Sequence, residues 1–169
     1  MYKRIIILGG GGTGKSTLAN RISLHTGYPA YHLDNILLNS DWSIKDKSEW
    51  EEISKQFLLK DTGIVDGNYS ASLPNRLSWA DLIIYINIPT RVQLWRIFTR
   101  NIKIRAGVDK RHGFPEGSKE KLSFKFISWV YHWNSSHRSK MFSLLESIKD
   151  KKVLIIKEPM KLDLEKLFE

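Results

Sequence analysis

Residues Gly9 to Thr17 read Gly-Gly-Gly-Gly-Thr-Gly-Lys-Ser-Thr, and within that run Gly9, Gly14, Lys15 and Ser16 keep the spacing of a phosphate-binding loop. Glycines let the backbone curl so that successive N–H groups converge on an anion, and the following helix adds the positive end of its dipole. At these spacings Lys15 reaches the β- and γ-phosphates of a nucleotide, and the Ser16 hydroxyl ligates Mg²⁺. Gly9, Gly10, Gly11, Gly12, Thr13, Gly14, Lys15, Ser16 and Thr17 are therefore expected to hold ATP. A loop of this kind needs a strand before it and a helix after it. Lys3-Arg4-Ile5-Ile6-Ile7-Leu8 supplies the first, and Leu18-Ala19-Asn20-Arg21-Ile22 continues the second.

Two aspartates extend this chemistry. Mg²⁺ carried by polyphosphate takes carboxylate oxygen near the Ser16 hydroxyl. Asp66 fits that role, because it closes the short apolar run Ile64-Val65 and Gly67 beside it leaves space for a ligand. The same Asp-Gly pair also reads as a turn. Asp34 follows the run Ala30 to Leu33, where a carboxylate facing the loop can accept the proton of an acceptor hydroxyl as it attacks the γ-phosphate. Its alternative is an N-cap for a short helix at Asn35 to Leu38. Five histidines, among them His32, form no His-x-x-x-His pair and read as core, loop or surface residues.

The elements that must position these groups alternate. Short apolar runs at Ile5 to Leu8, Ala30 to Leu33, Ile64-Val65, Leu82 to Ile88 and Val153 to Ile156 are separated by amphipathic segments. This predicts an α/β fold of the P-loop NTPase type: a five-stranded parallel sheet with helices on both faces and the nucleotide at the carboxyl ends of the strands. Ser48-Glu49-Trp50-Glu51 reads as a capping box opening a helix to about Lys60, and Thr90 as the cap of a basic helix to about Ala106. The Gly/Pro-bearing stretch 107–118 reads as a loop. A long helical region follows from Lys119 to about Asp150, with a possible break near Asn134-Ser135-Ser136, and Leu162 to Phe168 forms a terminal helix. Asp81 precedes its strand and reads as a turn residue at the far end of the sheet.

A chain of 169 residues with 41% hydrophobic and 27% charged residues is expected to be one soluble domain, 1–169. The four apolar residues before the glycines fall short of a signal peptide, no run is long enough to span a membrane, and a cytoplasmic protein is expected. The lack of cysteine removes disulfides, thiolate catalysis and cysteine zinc sites together. The net charge of +9 is uneven, since residues 91–152 carry a balance of +10 and the remainder −1. That segment suits phosphate, nucleic acid or another acidic partner. Phe126, Trp129 and Trp133 within it keep helical spacing and are expected to pack, with a base-stacking surface as the alternative.

Together the phosphate loop, Asp34, Asp66-Gly67-Asn68-Tyr69 and the helix after Pro89 resemble the adenylate-kinase-like P-loop kinases. More narrowly, His32-Leu33-Asp34, the segment from Trp42 to Trp50, Val65 to Tyr69 and the Trp95-to-Arg105 helix resemble the family called DNA topology modulation, or FlaR-related, proteins. Adenylate kinases place two arginines seven and eleven positions after the fourth-strand proline, and Arg96 and Arg100 stand so after Pro89. The resemblance implies that Arg96 packs on adenine and Arg100 touches phosphate. It also implies that the loop 107–118 is a short lid whose Lys110 or Arg111 closes over the γ-phosphate, with Arg138 reaching in from the next helix. Two departures limit it: Ser70 and Leu37 replace arginines that hold a monophosphate acceptor, so a hydroxyl-bearing acceptor is expected instead of AMP. Arg76 is a candidate substitute for one of them.

These features lead to an ATP-dependent phosphotransferase acting on a small acceptor. Lys15, Asp34 and Arg100 are its catalytic residues, Ser16 and Asp66 its Mg²⁺ ligands, and a monomer or dimer its expected state. The rival is a nucleotide-dependent DNA-binding protein that uses the basic segment 91–152.

Overall fold

The structure, a computed structural model, describes residues 1–39, 43, 45–108 and 124–169. Its centre is strand β1 (Arg4–Gly9), in which Ile5, Ile6, Ile7 and Leu8 are all fully buried. An unbroken apolar run fits a parallel strand covered on both faces. Strands β2 (Ala30–His32), β3 (Gly63–Asp66), β4 (Leu82–Ile86) and β5 (Lys152–Ile156) complete a five-stranded sheet in the order β2-β3-β1-β4-β5, every neighbouring pair parallel. In this register Ile7 lies opposite Asp66 and His32 lies opposite Asp66 on its other side. The ends of β1, β2 and β3 therefore share one edge, from which the phosphate loop departs.

Alternation along the strands fills two cores. Ile5, Ile7, Ile64, Leu82, Ile84 and Ile86 face α1 (Lys15–Thr26) and α7 (Leu164–Phe168), which contribute Leu18, Ala19, Ile22, Leu164 and Phe168. Ile6, Leu8, Val65, Ile83 and Tyr85 face the other way. There they meet α2 (Leu33–Leu37), α3 (Lys47–Leu58), α4 (Leu73–Trp79) and α6 (Phe124–Ser147) through Leu33, Trp50, Phe57, Leu73, Trp79, Trp133 and Leu145. Helix α5 (Thr90–Arg105) runs against the phosphate loop. A Cβ placed on Gly12 would stand 2.7 Å from the Gln93 carbonyl oxygen and 2.8 Å from Ile97 Cγ1. Gly12 also has φ +73°, in the region where side chains are strained, so both space and backbone require glycine there.

Several boundaries differ from the sequence reading. Strand β2 stops at His32, which takes the extended cap position of α2, so Asp34 lies in the first helical turn and is not its N-cap. Helix α3 starts at Lys47 after Asp46, with no side-chain cap bond, so the Ser48 to Glu51 box does not form. Pro89, not Thr90, holds the cap position of α5. Helix α6 runs through 134–136 unbroken. Within it the Ser136 hydroxyl donates to the His132 carbonyl at 2.7 Å and so finds its partner inside the helix. Helix α4, preceded by a 3-10 turn at Ser70–Ser72, was not expected, although Pro74 in its first turn is a recognised start signal. Asp81 is the far-end turn residue expected: its Oδ1 accepts the Arg4 N–H at 3.0 Å. Residues 109–118 of the expected lid, including Lys110 and Arg111, lie outside the described residues, as do Trp42 and 119–123.

Candidate functional site

The phosphate loop spans the end of β1 and the start of α1. Gly9, Gly12 and Gly14 take positive φ values of 147°, 73° and 93°, which turns the chain sharply enough to bring it back over its own carbonyls. The Thr13 hydroxyl donates to the Gly10 carbonyl at 2.9 Å, and Lys15 Nζ donates to the same oxygen at 3.0 Å. Desolvation pushes the Lys15 ammonium below its ordinary value, with Arg100 acting in the same direction and the nearby Asp34 and Asp66 carboxylates opposing it. One side chain thus registers Asp34, Asp66 and Arg100 at once, and these four residues are gathered at one end of the sheet. Behind the loop, Gln93 is almost fully buried. Its Nε2 donates to the Ile88 carbonyl at 2.7 Å while its Oε1, without a partner among the described residues, points at Gly10.

Asp66 is 3% exposed and both its oxygens are engaged. Oδ2 accepts the Ser16 hydroxyl at 2.7 Å and Oδ1 lies 2.6 Å from His32 Nδ1. On its other side His32 Nε2 lies 3.0 Å from Asn20 Oδ1. The hydrogen bond to Asp66 raises the His32 pKa above its ordinary value, and burial opposes it. A carboxylate touching the helix-start hydroxyl is the oxygen donor pair that suits Mg²⁺, whose remaining positions are commonly filled by phosphate and water. Ser16 and Asp66 could hold the ion.

Asp34 is the second residue of α2, and its Oδ1 accepts the Tyr69 hydroxyl at 2.8 Å. Desolvation, and the Asp34 carboxylate after it, push the Tyr69 phenol far above its ordinary value, so it remains a donor. Trp50 tilts against Tyr69 with ring centroids 6.3 Å apart and is otherwise packed into the core. Arg96 reaches the loop, Nη1 donating to the Thr13 carbonyl at 3.3 Å. Arg138 is elsewhere: its guanidinium lies 5.9 Å over the Phe142 ring and acts electrostatically on Tyr85, and no described contact joins it to the phosphate loop. Thr17 is exposed in the first turn of α1.

Arg76 is not a substitute acceptor clamp. It is fully buried, and it donates to the Gly67 carbonyl at 2.8 Å, the Tyr69 carbonyl at 2.7 Å and the Ser72 hydroxyl at 3.1 Å. Sequence reasoning missed this role, along with those of His32, Tyr69 and Gln93. The tetrad Asp66 to Tyr69 was visible as a motif, but its partners were not.

A parallel sheet in this order, with the phosphate loop on its central strand and carboxylates at the neighbouring strand ends, is the α/β fold of P-loop kinases. No family model and no curated protein sequence matches the chain. Solved structures do. A gluconokinase from Sinorhizobium meliloti 1021 superposes with a TM-score of 0.55 at 13% identity, covering 97% of this chain and 86% of that one. A shikimate kinase from Aquifex aeolicus gives 0.55 at 18% identity, with 96% and 90% covered. A shikimate kinase from Bacteroides thetaiotaomicron gives 0.53 at 11%, with 99% and 96% covered. At these identities the likeness is one of fold.

Proposed function

We propose that the protein is an ATP-dependent kinase that transfers the γ-phosphoryl group to a hydroxyl of a small acceptor. The observation that carries this reading is the phosphate loop at the strand ends, where the Ser16 hydroxyl donates to Asp66 at 2.7 Å and the charges of Asp34, Asp66 and Arg100 all act on Lys15. Lys15 and Arg100 stabilise the negative charge of the transferring group. Mg²⁺ supplies further charge neutralisation when bound with ATP, held by Ser16 and Asp66. Asp34 takes the proton of the acceptor hydroxyl while the acceptor oxygen bonds to the γ-phosphorus. The bond from that phosphorus to the β–γ bridging oxygen breaks, and ADP leaves. Arg96, whose guanidinium donates to the Thr13 carbonyl, would pack on adenine as the sequence resemblance implies.

The acceptor in this reading carries no phosphate. Ser70 and Leu37 stand where the resemblance would put arginines, and Arg76 spends its donors on backbone and Ser72. The names of the superposed gluconokinase and shikimate kinase, each given for a small acceptor, support this class. The narrower likeness to DNA topology modulation proteins rests on sequence motifs, and we read those motifs as parts of a kinase site working where cytoplasmic ATP is. The test is transfer of labelled phosphate from Mg-ATP to a panel of nucleosides, polyols and small alcohols beside nucleoside monophosphates. A labelled hydroxyl compound supports the proposal, while labelling of monophosphates alone, or of nothing, overturns it.

A further inference from the structure

The strand end Asp66-Gly67-Asn68-Tyr69 contributes one residue, Asp66, to the proposed reaction, yet the three that follow grip different parts of the same site. Gly67 N–H donates to the Ile7 carbonyl at 3.3 Å, and at φ +136° a Cβ on Gly67 would stand 2.8 Å from Leu33 Cβ. The chain is thus pressed onto the start of α2, one residue before Asp34. Asn68 turns its amide to Gly9: Oδ1 accepts the Gly9 N–H at 3.0 Å and Nδ2 donates to the Gly9 carbonyl at 2.6 Å. This two-pronged contact continues the ladder between β1 and β3 past its last backbone pair, and it fixes the first residue of the phosphate loop. Tyr69 then turns the other way, its hydroxyl 2.8 Å from Asp34 Oδ1. Arg76 holds the tetrad from behind through the carbonyls of Gly67 and Tyr69.

We propose that Asn68 and Tyr69 are positioning residues that register the phosphate loop against the acceptor base: Asn68 sets Gly9, and Tyr69 holds Asp34 Oδ1 so that Oδ2 faces the acceptor hydroxyl. The inference rests on the kinase reading of the site. A carboxylate on a short helix can swing between rotamers, and a proton acceptor displaced by about 1 Å can cost on the order of 10²-fold in rate. The phenol donates to Asp34 and keeps its own proton, so it does not compete as a base. The arrangement splits the kinetic parameters between the two residues. The Tyr69 hydroxyl bonds the base, so its loss falls on transfer. The Asn68 amide bonds the phosphate loop at Gly9, so its loss falls on nucleotide affinity.

The experiment compares Tyr69→Phe, Asn68→Ala, Asp34→Asn and the double variant Tyr69→Phe/Asp34→Asn, with thermal melts to verify folding and calorimetry for Mg-ATP binding. Tyr69→Phe, which keeps the ring against Trp50, is expected to lower kcat about 10- to 100-fold with Mg-ATP affinity within about twofold of the parent. Asn68→Ala is expected to weaken Mg-ATP binding about tenfold, with a smaller effect on kcat. In the Asp34→Asn background, Tyr69→Phe is expected to cost nothing further, because the group it positions is gone. Unchanged kcat in Tyr69→Phe, an equal further loss in the double variant, or an affinity loss in Tyr69→Phe as large as in Asn68→Ala overturns the positioning roles while leaving the kinase reading intact. A parent protein that transfers phosphate to no acceptor overturns both.

Discussion

Replacing Arg76 by methionine tests whether the strand-end tetrad depends on a buried cation rather than on its own turn geometry. Methionine fills most of the arginine stem's volume, so the loss is mainly electrostatic and hydrogen-bonding. The change leaves the Gly67 carbonyl and the Ser72 hydroxyl oxygen without their donor, while the Tyr69 carbonyl keeps the Ser72 hydroxyl at 3.3 Å. A buried group deprived of its partner costs about 1–3 kcal/mol, so the Gly67 and Ser72 oxygens together amount to roughly 2–6 kcal/mol. Part of this is returned, because burial already penalises the guanidinium, pulling its pKa down to about 10. A net loss of about 3 kcal/mol is expected. For a chain of this size each kcal/mol moves Tm by about 2–4 °C, so the melt should shift down by roughly 6–12 °C. Urea unfolding should give the same free-energy difference at an unchanged slope. Arg76→Lys keeps the charge but not the fork, so it should fall between parent and methionine variant. A methionine variant that melts within about 2 °C of the parent would refute the reasoning, because those oxygens would then have found other donors.

The two carboxylates should separate by assay: Asp66→Asn weakens Mg²⁺-dependent nucleotide binding itself, and Asp34→Asn spares ATP binding but removes transfer, so an Asp34→Asn variant that loses ATP affinity would show the roles to be exchanged. In the basic segment the effect should concentrate in few residues: Arg96→Ala and Arg100→Ala impair ATP use, whereas neutralising Lys149 and Lys152 does little. Lys151 is better left in place because its ammonium donates to the Leu77 and Ser78 carbonyls at 2.5 and 2.7 Å. DNA binding near physiological salt that the lysine changes abolish, in a protein without phosphoryl transfer, would instead favour a nucleic-acid function. The raised His32 pKa sets a pH dependence, since its pairing with Asp66 contributes stability in full below the ordinary histidine value of 6.5 and loses it as pH rises through the higher folded value. The stability difference between the parent and His32→Gln, read from urea midpoints, should therefore shrink from mildly acid to alkaline pH, and a difference that grows with pH would contradict the assignment.

The loop itself was legible because its chemistry is written in consecutive residues, and the sheet because buried parallel strands leave apolar runs such as Ile5 to Leu8 and Leu82 to Ile86. The positions of Asp34 and Asp66 followed from the rule that this kind of sheet presents its site at the strand ends. Their partners did not. His32 meets Asp66 across 34 residues and Tyr69 meets Asp34 across 35, and only the order β2-β3-β1 makes those pairs neighbours. Arg76 was misread for a different reason. Its contacts are local, but Ser70 to Trp79 begins with small and turn-forming residues, and a seven-residue helix leaves too little periodicity to place an arginine on its inner face. The cap readings at Asp34, Ser48 and Thr90 failed because a residue type favoured at helix starts does not fix which of several neighbouring positions becomes the start.

The most direct measurement of the central claim is a single-turnover reaction with ATP labelled at the γ-phosphate, run with excess protein and an acceptor identified from the panel, for the parent and Lys15→Ala side by side. The parent should move the label onto the acceptor hydroxyl with stoichiometric ADP. The Lys15→Ala variant, folded and with an unchanged melt, should do so slower by about 10²-fold or more, since a preorganised charge on the transferring group is gone. Label released only as inorganic phosphate by the parent, or transfer undiminished in Lys15→Ala, would contradict the account.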